Sequence, residues 1–184
     1  MRNSITRWIL LVPILCIPFF PYKSSKQREM ETLMKEWYGK EIFFPKGMVA
    51  TIMGDSSIVY SDLDYVKKSR KIVFYADSLE CVDCDLNLLE WMDFMEVADS
   101  VTGQDISFLF YFSPKKEKEI ISTLRLERFD VPVFIDYECK FEKLNRLPNN
   151  QLFRTFLLNE NNKIILIGNP THGMEYLYLK VLGK

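Results

Sequence analysis

Two runs of apolar residues constrain the fold of this chain most strongly. Residues 71–76 (KIVFYA) and 106–112 (ISFLFYF) are too apolar to be strands with one face in solvent. Such runs are typical of strands that helices cover on both faces. Between them, residues 83–100 repeat apolar side chains at the helical period, and Gly103 follows as a natural end. This order of strand, helix and strand predicts a right-handed crossover and a parallel pair.

The alternation of helices and strands continues towards the C-terminus. Ser113 and Pro114 are typical of a helix N-cap and first helical position, so we expect a helix to open there. The elements expected after that point are a helix at 115–128, a strand at 131–135, at most a short helix at 137–147, strands at 152–158 and 163–167, and a helix at 173–182. We therefore predict an α/β protein with a central mixed sheet flanked by helices and a C-terminal antiparallel hairpin.

The segment before the first core strand is predicted to be an N-terminal extension, residues 26–70. Residues 27–38 place Met and Leu side chains and Trp37 on one helical face, and Gly39 stops the helix. Residues 41–44 and 48–53 have strand-like composition, with a Pro-Lys-Gly turn between them. We expect this extension to be a helix plus a short hairpin, and residues 71–184 to be one domain.

The N-terminus resembles a targeting segment. Arg2 and Arg7 precede an apolar run at 8–22 (WILLVPILCIPFFPY), which has the length of a signal-peptide core and is short of the roughly 20 residues of a full membrane span. Residues 1–25 are thus interpreted as a cleaved signal peptide or a membrane anchor, and Cys16 leaves lipid attachment open as a third possibility. Under each interpretation the rest of the chain is exported.

Cys81 and Cys84 form the one motif in the sequence that points to chemistry, CVDC. They lie after the strand at 71–76 and at the start of the predicted helix, whose N-terminal dipole would favour thiolate over thiol. Export places them in an oxidising compartment, where this pair can close a disulfide and Cys139 is left unpaired. A zinc site needs four ligands and only one CxxC is present, so no metal site is expected.

The composition of the chain argues against several other functional classes. The chain has 24 Lys and Arg against 25 Asp and Glu, a net charge of −1, which gives no reason to expect a nucleic-acid partner. His172 is the single histidine, so a His-rich metal site is not available. We expect no cofactor.

With CVDC between the first core strand and its helix, the order of elements resembles the thioredoxin-like fold. Residues 131–136 (VPVFID), and 155–159 (TFLLN) with the hairpin that follows, resemble the TlpA/ResA-type branch, which is AhpC/TSA-like and exported. That branch has an extra strand and helix before the hairpin. The resemblance implies a thiol–disulfide oxidoreductase of the cell envelope, facing the periplasm, with Cys81 attacking and Cys84 resolving. Its partners would be protein thiols or disulfides.

The sequence departs from this branch at two places. Phe153 occupies the position of the cis-proline that faces the cysteines, and a trans bond is expected there because a cis bond before a residue other than proline is costly. Phe153 is therefore a candidate substrate-binding residue over the disulfide, or a core residue. Glu80 and Asp83 stand where Trp and Pro are usual, and carboxylates near a thiol raise its pKa.

Two alternatives to catalytic disulfide exchange remain open. Cys81–Cys84 can be a structural disulfide in a non-catalytic binding or sensing module. The chain can also be a peroxiredoxin-like peroxidase, since Ser78 lies three residues before Cys81.

Overall fold

The computed structural model describes residues 25–52, 56–58, 68–77, 86–103 and 105–183. Its α-helices are α1 Ser25–Trp37, α2 Leu88–Thr102, α3 Glu117–Leu126, α4 Lys140–Asn145 and α5 Glu175–Leu182. Its strands are β1 Ala50–Ile52, β2 Ser56–Ile58, β3 Arg70–Asp77, β4 Ile106–Ser113, β5 Val133–Ile135, β6 Thr155–Leu158 and β7 Ile164–Ile167. Single 3₁₀ turns occupy Gln151–Phe153 and Pro170–His172.

The described strands form one mixed sheet in the order β2-β1-β5-β4-β3-β6-β7. The three middle strands β5, β4 and β3 run parallel, and the pairs on either side of them are antiparallel. Strand β4 is central, as its apolar sequence predicted, and β6 and β7 form the expected hairpin. Strand β5 and helix α4 supply the extra strand and helix before it. The predicted α/β class and mixed sheet are confirmed.

Helices α2, α3 and α5 cover one face of the sheet. The centre of this layer is Trp91, which is fully buried and packs edge-on against Phe74 and Phe110, with ring centroids 5.4 and 5.1 Å away. Phe94 connects the layer to Tyr178 of α5 through another edge-on contact of 5.9 Å. Aromatic contacts of this kind add to the stabilisation from burial.

Helices α1 and α4 cover the opposite face. Trp37 of α1 stacks on Phe156 at 5.7 Å. Phe141 of α4 is fully buried and stacks on Tyr111 at 4.5 Å and on Tyr75 at 5.7 Å. The segment predicted to be an extension therefore contributes α1 to this core, and β1 and β2 to the sheet.

Two predicted helix starts were placed too early. Helix α2 begins at Leu88 rather than at residue 83, because Asn87 has left-handed backbone angles (φ 47°) that a helix cannot include. Ser113 is the last residue of β4 rather than an N-cap, and its hydroxyl donates to the Asp136 carbonyl at 2.7 Å. Helix α3 consequently begins at Glu117.

The hairpin predicted between residues 41–44 and 48–53 is wrong. Glu41 forms an isolated bridge with Lys163 and the residues after it are not in a strand. Strand β1 pairs instead with β2 on one side and with β5 on the other, where Ala50 lies opposite Phe134. Composition alone could not identify a partner so distant in the chain.

The apolar N-terminal run and Cys16 lie outside the described residues. Within the part of the chain that the structure describes, no helix is long and apolar enough to cross a membrane.

Candidate functional site

The carboxyl ends of the three parallel strands meet at one edge of the sheet. Asp77 ends β3 opposite Ser113 at the end of β4, and Asp136 directly follows β5. In open α/β sheets this edge is where ligands bind. The CVDC sequence falls between β3 and α2, with Cys81 four residues after Asp77. Cys81 and Cys84 themselves lie outside the described residues.

Arg154 is the most unusual side chain at this edge. It directly precedes β6, and only 5% of its side chain is exposed. Its Nη2 donates to Glu142 Oε1 at 2.9 Å, and its Nε donates to the Pro148 carbonyl at 2.6 Å. Its Nη1 lies 2.7 Å from Asp77 Oδ2 but is out of alignment for a hydrogen bond, so that contact is ionic. Burial of a guanidinium requires such pairing.

The carboxylates beside Arg154 are also held by neutral groups. The Gln151 side-chain amide donates to the backbone carbonyl of Asp77 at 3.0 Å and also contacts its carboxylate. The Tyr75 hydroxyl donates to Glu142 Oε2 at 3.4 Å, and the Tyr75 ring lies 5.7 Å from the guanidinium carbon. The network therefore joins β3, α4 and the turn at Gln151–Phe153.

Tyr75 stays protonated at this edge. Burial raises the pKa of its phenol far above the ordinary value, and the negative charge of Glu142 acts in the same direction. The nearby Ser113 hydroxyl acts against this shift of the Tyr75 pKa without overcoming it. Tyr75 therefore acts as a hydrogen-bond donor to Glu142 and not as a base.

Cys139 lies at the same edge, at the start of α4. Its backbone is left-handed (φ 51°), and its Sγ is 3.1 Å from Ser113 Oγ. The single proton of the Ser113 hydroxyl goes to the Asp136 carbonyl, which can only accept. When both contacts form together, the Cys139 thiol must be the donor to Ser113. Cys139 is free of disulfide bonds and partly exposed.

Phe153 lies in the turn that faces the end of β3, and its side chain is 2% exposed. The ring belongs to the core cluster that includes Trp37 and Phe156. No described residue follows a cis peptide bond, so the trans bond expected at Phe153 is found. Phe153 as a whole residue is buried, so the structure places it in the core rather than at the surface.

Helix α2 begins further along the chain from the two cysteines than the sequence predicted. Leu86 and Asn87 are not helical, so Cys84 precedes the first helical residue, Leu88, by four positions. No group of three metal-ligating side chains occurs among the residues that can be described.

The sequence interpretation did not identify Arg154 or its carboxylate partners. A signal was present, since Arg154 is a lone charge inside the apolar run at 152–158. Its partners could not be found in this way, because Asp77 and Glu142 come from distant parts of the chain.

Comparisons with known proteins support the fold. No protein-family model matches the sequence, and no curated protein is similar to it. Among solved structures, the peroxidoxin BcpB of Mycobacterium tuberculosis has a TM-score of 0.56 and 12% identity, covering 78% of this chain and 96% of its own. A candidate protein disulfide isomerase from Bacteroides thetaiotaomicron has a TM-score of 0.54 and 11% identity, with coverages of 78% and 91%.

Mycobacterium tuberculosis AhpC is similar at a TM-score of 0.51 and 19% identity, covering 79% of this chain and 92% of its own. At such identities the likeness concerns the fold. The chain therefore has a thioredoxin-like fold.

Proposed function

We propose that this chain is a thiol–disulfide oxidoreductase of the cell envelope that works through Cys81 and Cys84. The observation that carries the proposal is the position of CVDC in the sequence, in the connection from β3 to α2 of a thioredoxin-like fold. That connection leaves the carboxyl edge of the sheet, where Asp77, Glu142 and Arg154 form an ionic network.

The proposed reaction passes two electrons between this pair and a protein partner. The Cys81 thiolate attacks one sulfur of a partner disulfide, forming a mixed disulfide and releasing the partner's other sulfur as a thiolate. Cys84 then attacks the Cys81 sulfur, which closes the Cys81–Cys84 disulfide and releases the second partner thiol. The partner is reduced and this chain is oxidised, and the reverse sequence oxidises a partner dithiol.

The charges near the motif favour a reducing pair. Glu80, Asp83 and Asp85 surround the cysteines in the sequence, and carboxylates raise the pKa of a nearby thiol. A less stable thiolate shifts the equilibrium towards the disulfide.

A substrate peptide would lie against the turn at Gln151–Phe153. This turn faces the end of β3, and Gln151 joins it to Asp77. Phe153 is proposed to contribute to substrate binding indirectly, by fixing the turn through its buried ring.

Residues 1–25 are proposed to export the chain, either as a signal peptide or as a membrane anchor, so that the redox domain faces the periplasm. The proposed partners are protein thiols or disulfides, with neither nucleic acid nor a cofactor. Fusion of a periplasm-dependent reporter enzyme after residue 184 tests the orientation. Activity of the fusion is expected, and an inactive fusion that is present in full amount would contradict export.

A second candidate function is a non-catalytic binding module in which Cys81–Cys84 is structural. The burial of the Phe153 ring favours it, because the residue that stands in the cis-proline position does not present its side chain to a substrate. The peroxidase alternative draws support from the names of two neighbours, the peroxidoxin BcpB and AhpC.

Single cysteine variants test catalysis directly. Cys81→Ser is expected to abolish insulin disulfide reduction, and Cys84→Ser is expected to accumulate mixed disulfides with partners. Cys139→Ser is the matched control and should keep wild-type activity. Equal activity of the wild type and both CVDC variants would exclude the oxidoreductase.

A redox titration separates the two main candidates. A freely reversible midpoint near the thioredoxin range, about −270 mV, without unfolding, is expected for the oxidoreductase. A midpoint far below that value, together with loss of folding on reduction, would favour the structural disulfide. Consumption of hydrogen peroxide by the reduced chain, lost in Cys81→Ser, would favour the peroxidase.

A further inference from the structure

Residues 43–49 and 137–146 form one continuous surface, which we name the α4 surface and which combines exposed apolar side chains with cations. We propose that the α4 surface lies on a membrane that contains anionic phospholipids. The inference rests on one part of the proposed function, the placement of residues 1–25 at a membrane. It adds which side of the folded chain the membrane meets.

Two features join the two segments of the α4 surface. The Asn145 side chain accepts from Phe43 N and donates to the Phe43 carbonyl, each at 2.8 Å, so the end of α4 is fixed beside residue 43. Further along, residues 47–49 and 136–138 line the same cavity of about 340 Å³. The exposed groups of the two segments are therefore neighbours on one surface.

Four large apolar side chains of the α4 surface are open to solvent. The exposed fraction of each lies between 45% and 59%; they are Phe43, Val49, Tyr137 and Leu144. Single exposed apolar residues are ordinary on a protein surface. Several on one continuous face mark a site of interaction with another molecule or with a membrane.

Cations lie among these apolar groups. The four that are exposed within the two segments are Lys46, Lys140, Lys143 and Arg146. Glu138 pairs with Lys140 at 3.5 Å, and Glu142 pairs with the buried Arg154 at 2.9 Å. Glu117 of α3 also borders the cavity. Positive charge is therefore in excess here, although the whole chain carries a net charge of −1.

The opposite face of the sheet differs in charge. Helix α2 contains four carboxylates, at residues 90, 93, 96 and 99, and neither Lys nor Arg. Helix α3, on the same side, carries charges of both signs. An anionic surface therefore attracts the α4 side of the sheet more strongly than the α2 side. Apolar side chains among cations are the combination that binds the interface of an anionic bilayer.

The position of the chain before α1 favours a membrane as the occupant. The apolar run at 8–22 ends three residues before α1 begins at Ser25, a connection of at most about 11 Å when fully extended. Helix α1 covers the same face of the sheet as α4. Its Glu29 carboxylate accepts from the Asn150 side chain, in the segment that follows α4, at 3.1 Å. A membrane segment ending at residue 22 would hold this side of the sheet near the bilayer.

The test uses the full chain in vesicles of phosphatidylcholine alone and of an equal mixture of phosphatidylcholine and phosphatidylglycerol. Acetylation of Lys46 by a membrane-impermeant sulfosuccinimidyl ester is followed by mass spectrometry and divided by that of Lys118, which is exposed on α3. The ratio is expected to fall at least about threefold in the anionic vesicles and to recover in high salt, because salt screens the attraction. Equal ratios in the two kinds of vesicle would overturn the inference.

Two double variants assign the protection of Lys46 to the α4 surface. Phe43→Ser/Leu144→Ser removes two exposed apolar groups, and Lys143→Gln/Arg146→Gln removes two exposed charges. In the anionic vesicles, each variant should return the ratio towards its value in neutral vesicles. Full retention of the protection in either variant would overturn the inference.

The matched controls change the same kinds of side chain on the α2 side of the sheet. Leu126→Ser removes a leucine of α3 that is 76% exposed, and Lys115→Gln/Lys116→Gln removes two exposed cations just before that helix. Both controls should keep the protection of Lys46. Its loss in either control would assign membrane contact to a different face and overturn the inference.

Flotation of the wild type with the same vesicles separates this inference from the proposed function. A chain that floats with both kinds of vesicle but shows no protection of Lys46 would keep the membrane anchor and refute the docking surface. A chain that floats only with the anionic vesicles, with Lys46 protected, would refute the anchor and keep the docking surface. Insulin reduction by the same preparations decides the oxidoreductase independently.

Discussion

At the scale of the residue, Lys71 shows how burial and charge compete in this fold. Its side chain is fully buried on the face of the sheet covered by α1. Its Nζ donates to the Asn159 and Glu160 carbonyls of the β6–β7 turn at 3.3 and 3.4 Å. Desolvation lowers the pKa of Lys71 below its ordinary value of 10.5, although Asp105 and Glu160 act against the shift. The charged form is therefore disfavoured by folding.

This predicts a pH-dependent difference between the wild type and Lys71→Met. The folded pKa lies below the unfolded value of 10.5, so the unfolded chain binds more protons between the two. The cost of burying the charge is fully present below the folded pKa, declines as pH rises from the folded pKa towards 10.5, and is gone above 10.5. Urea unfolding at pH 7 and pH 10 should show the wild type gaining stability relative to Lys71→Met at pH 10.

Lys163→Met serves as the control, because Lys163 is exposed at the same hairpin. Its stability relative to the wild type should change little over this pH range. The assigned cost of burying the Lys71 charge would be contradicted if the difference in unfolding free energy between the wild type and Lys71→Met were the same at both pH values. It would also be contradicted if the wild type lost stability relative to Lys71→Met at pH 10.

Gly168 is a residue whose lack of a side chain the fold requires. It follows β7 with φ +115°, and an added Cβ would collide with the sulfur of Met174. Gly173 has a similar angle, φ +84°, but its Cβ would meet no atom within 4 Å. Both substitutions place a side chain at a left-handed backbone angle, but only Gly168→Ala also overpacks its surroundings. Gly168→Ala is therefore expected to lose about 1–3 kcal/mol more stability than Gly173→Ala.

Thermal unfolding of the two alanine variants measures this difference. Equal losses in the two variants would mean that the Met174 side chain moves aside freely. The comparison isolates the steric contact, because the two glycines flank the same short 3₁₀ turn.

At the scale of the element, α4 depends on a single carboxylate. The helix has six residues, too few for independent stability. The buried Asp136 side chain accepts from Lys140 N and Phe141 N, each at 2.8 Å, one bond to each oxygen. These bonds satisfy the first free N–H groups of the helix and hold Phe141 between two tyrosine rings.

Asp136→Ala is therefore expected to destabilise the protein by about 1–2 kcal/mol or more, the usual cost of losing a cap. Asp136→Asn should recover only part of this loss, because an amide offers one acceptor oxygen in place of two. Asp130→Ala, at an exposed position nearby, is the control in the same denaturant titrations. A loss for Asp136→Ala within about 0.5 kcal/mol of that control would show that Asp136 is not the cap of α4.

The elements also show which parts of the fold could be predicted from the sequence. Strands β3 and β4 were predicted within one residue at each end, because their apolar runs reflect burial on both faces. The N-cap assigned to Ser113 was wrong because its hydroxyl bonds to Asp136, 23 residues later, and local propensity carries no information about such a partner. The partners of β1 and the carboxylates around Arg154 were missed for the same reason.

At the scale of the whole molecule, the residues before β3 are packed as part of the core. Trp37 is 5% exposed and Ile42 is 1% exposed, and both lie in the cluster with Phe156. Ala50 is fully buried where β1 pairs with β5. The sequence predicted residues 26–70 as an extension to a domain at 71–184, and these contacts motivate a direct test of that division.

The test compares chains that begin at Ser25 and at Lys71. The shorter chain loses α1, β1 and β2, which uncovers the face of the sheet around Phe156 and the edge of β5. Trp37→Ala alone, in the longer chain, should cost about 3–5 kcal/mol, as is usual for a buried tryptophan. Because a domain of this size is stable by only about 5–15 kcal/mol, the chain from Lys71 should lose cooperative unfolding in urea. Cooperative unfolding of that chain at the midpoint of the longer one would mean that residues 71–184 fold independently, with α1 and β1 as a peripheral layer.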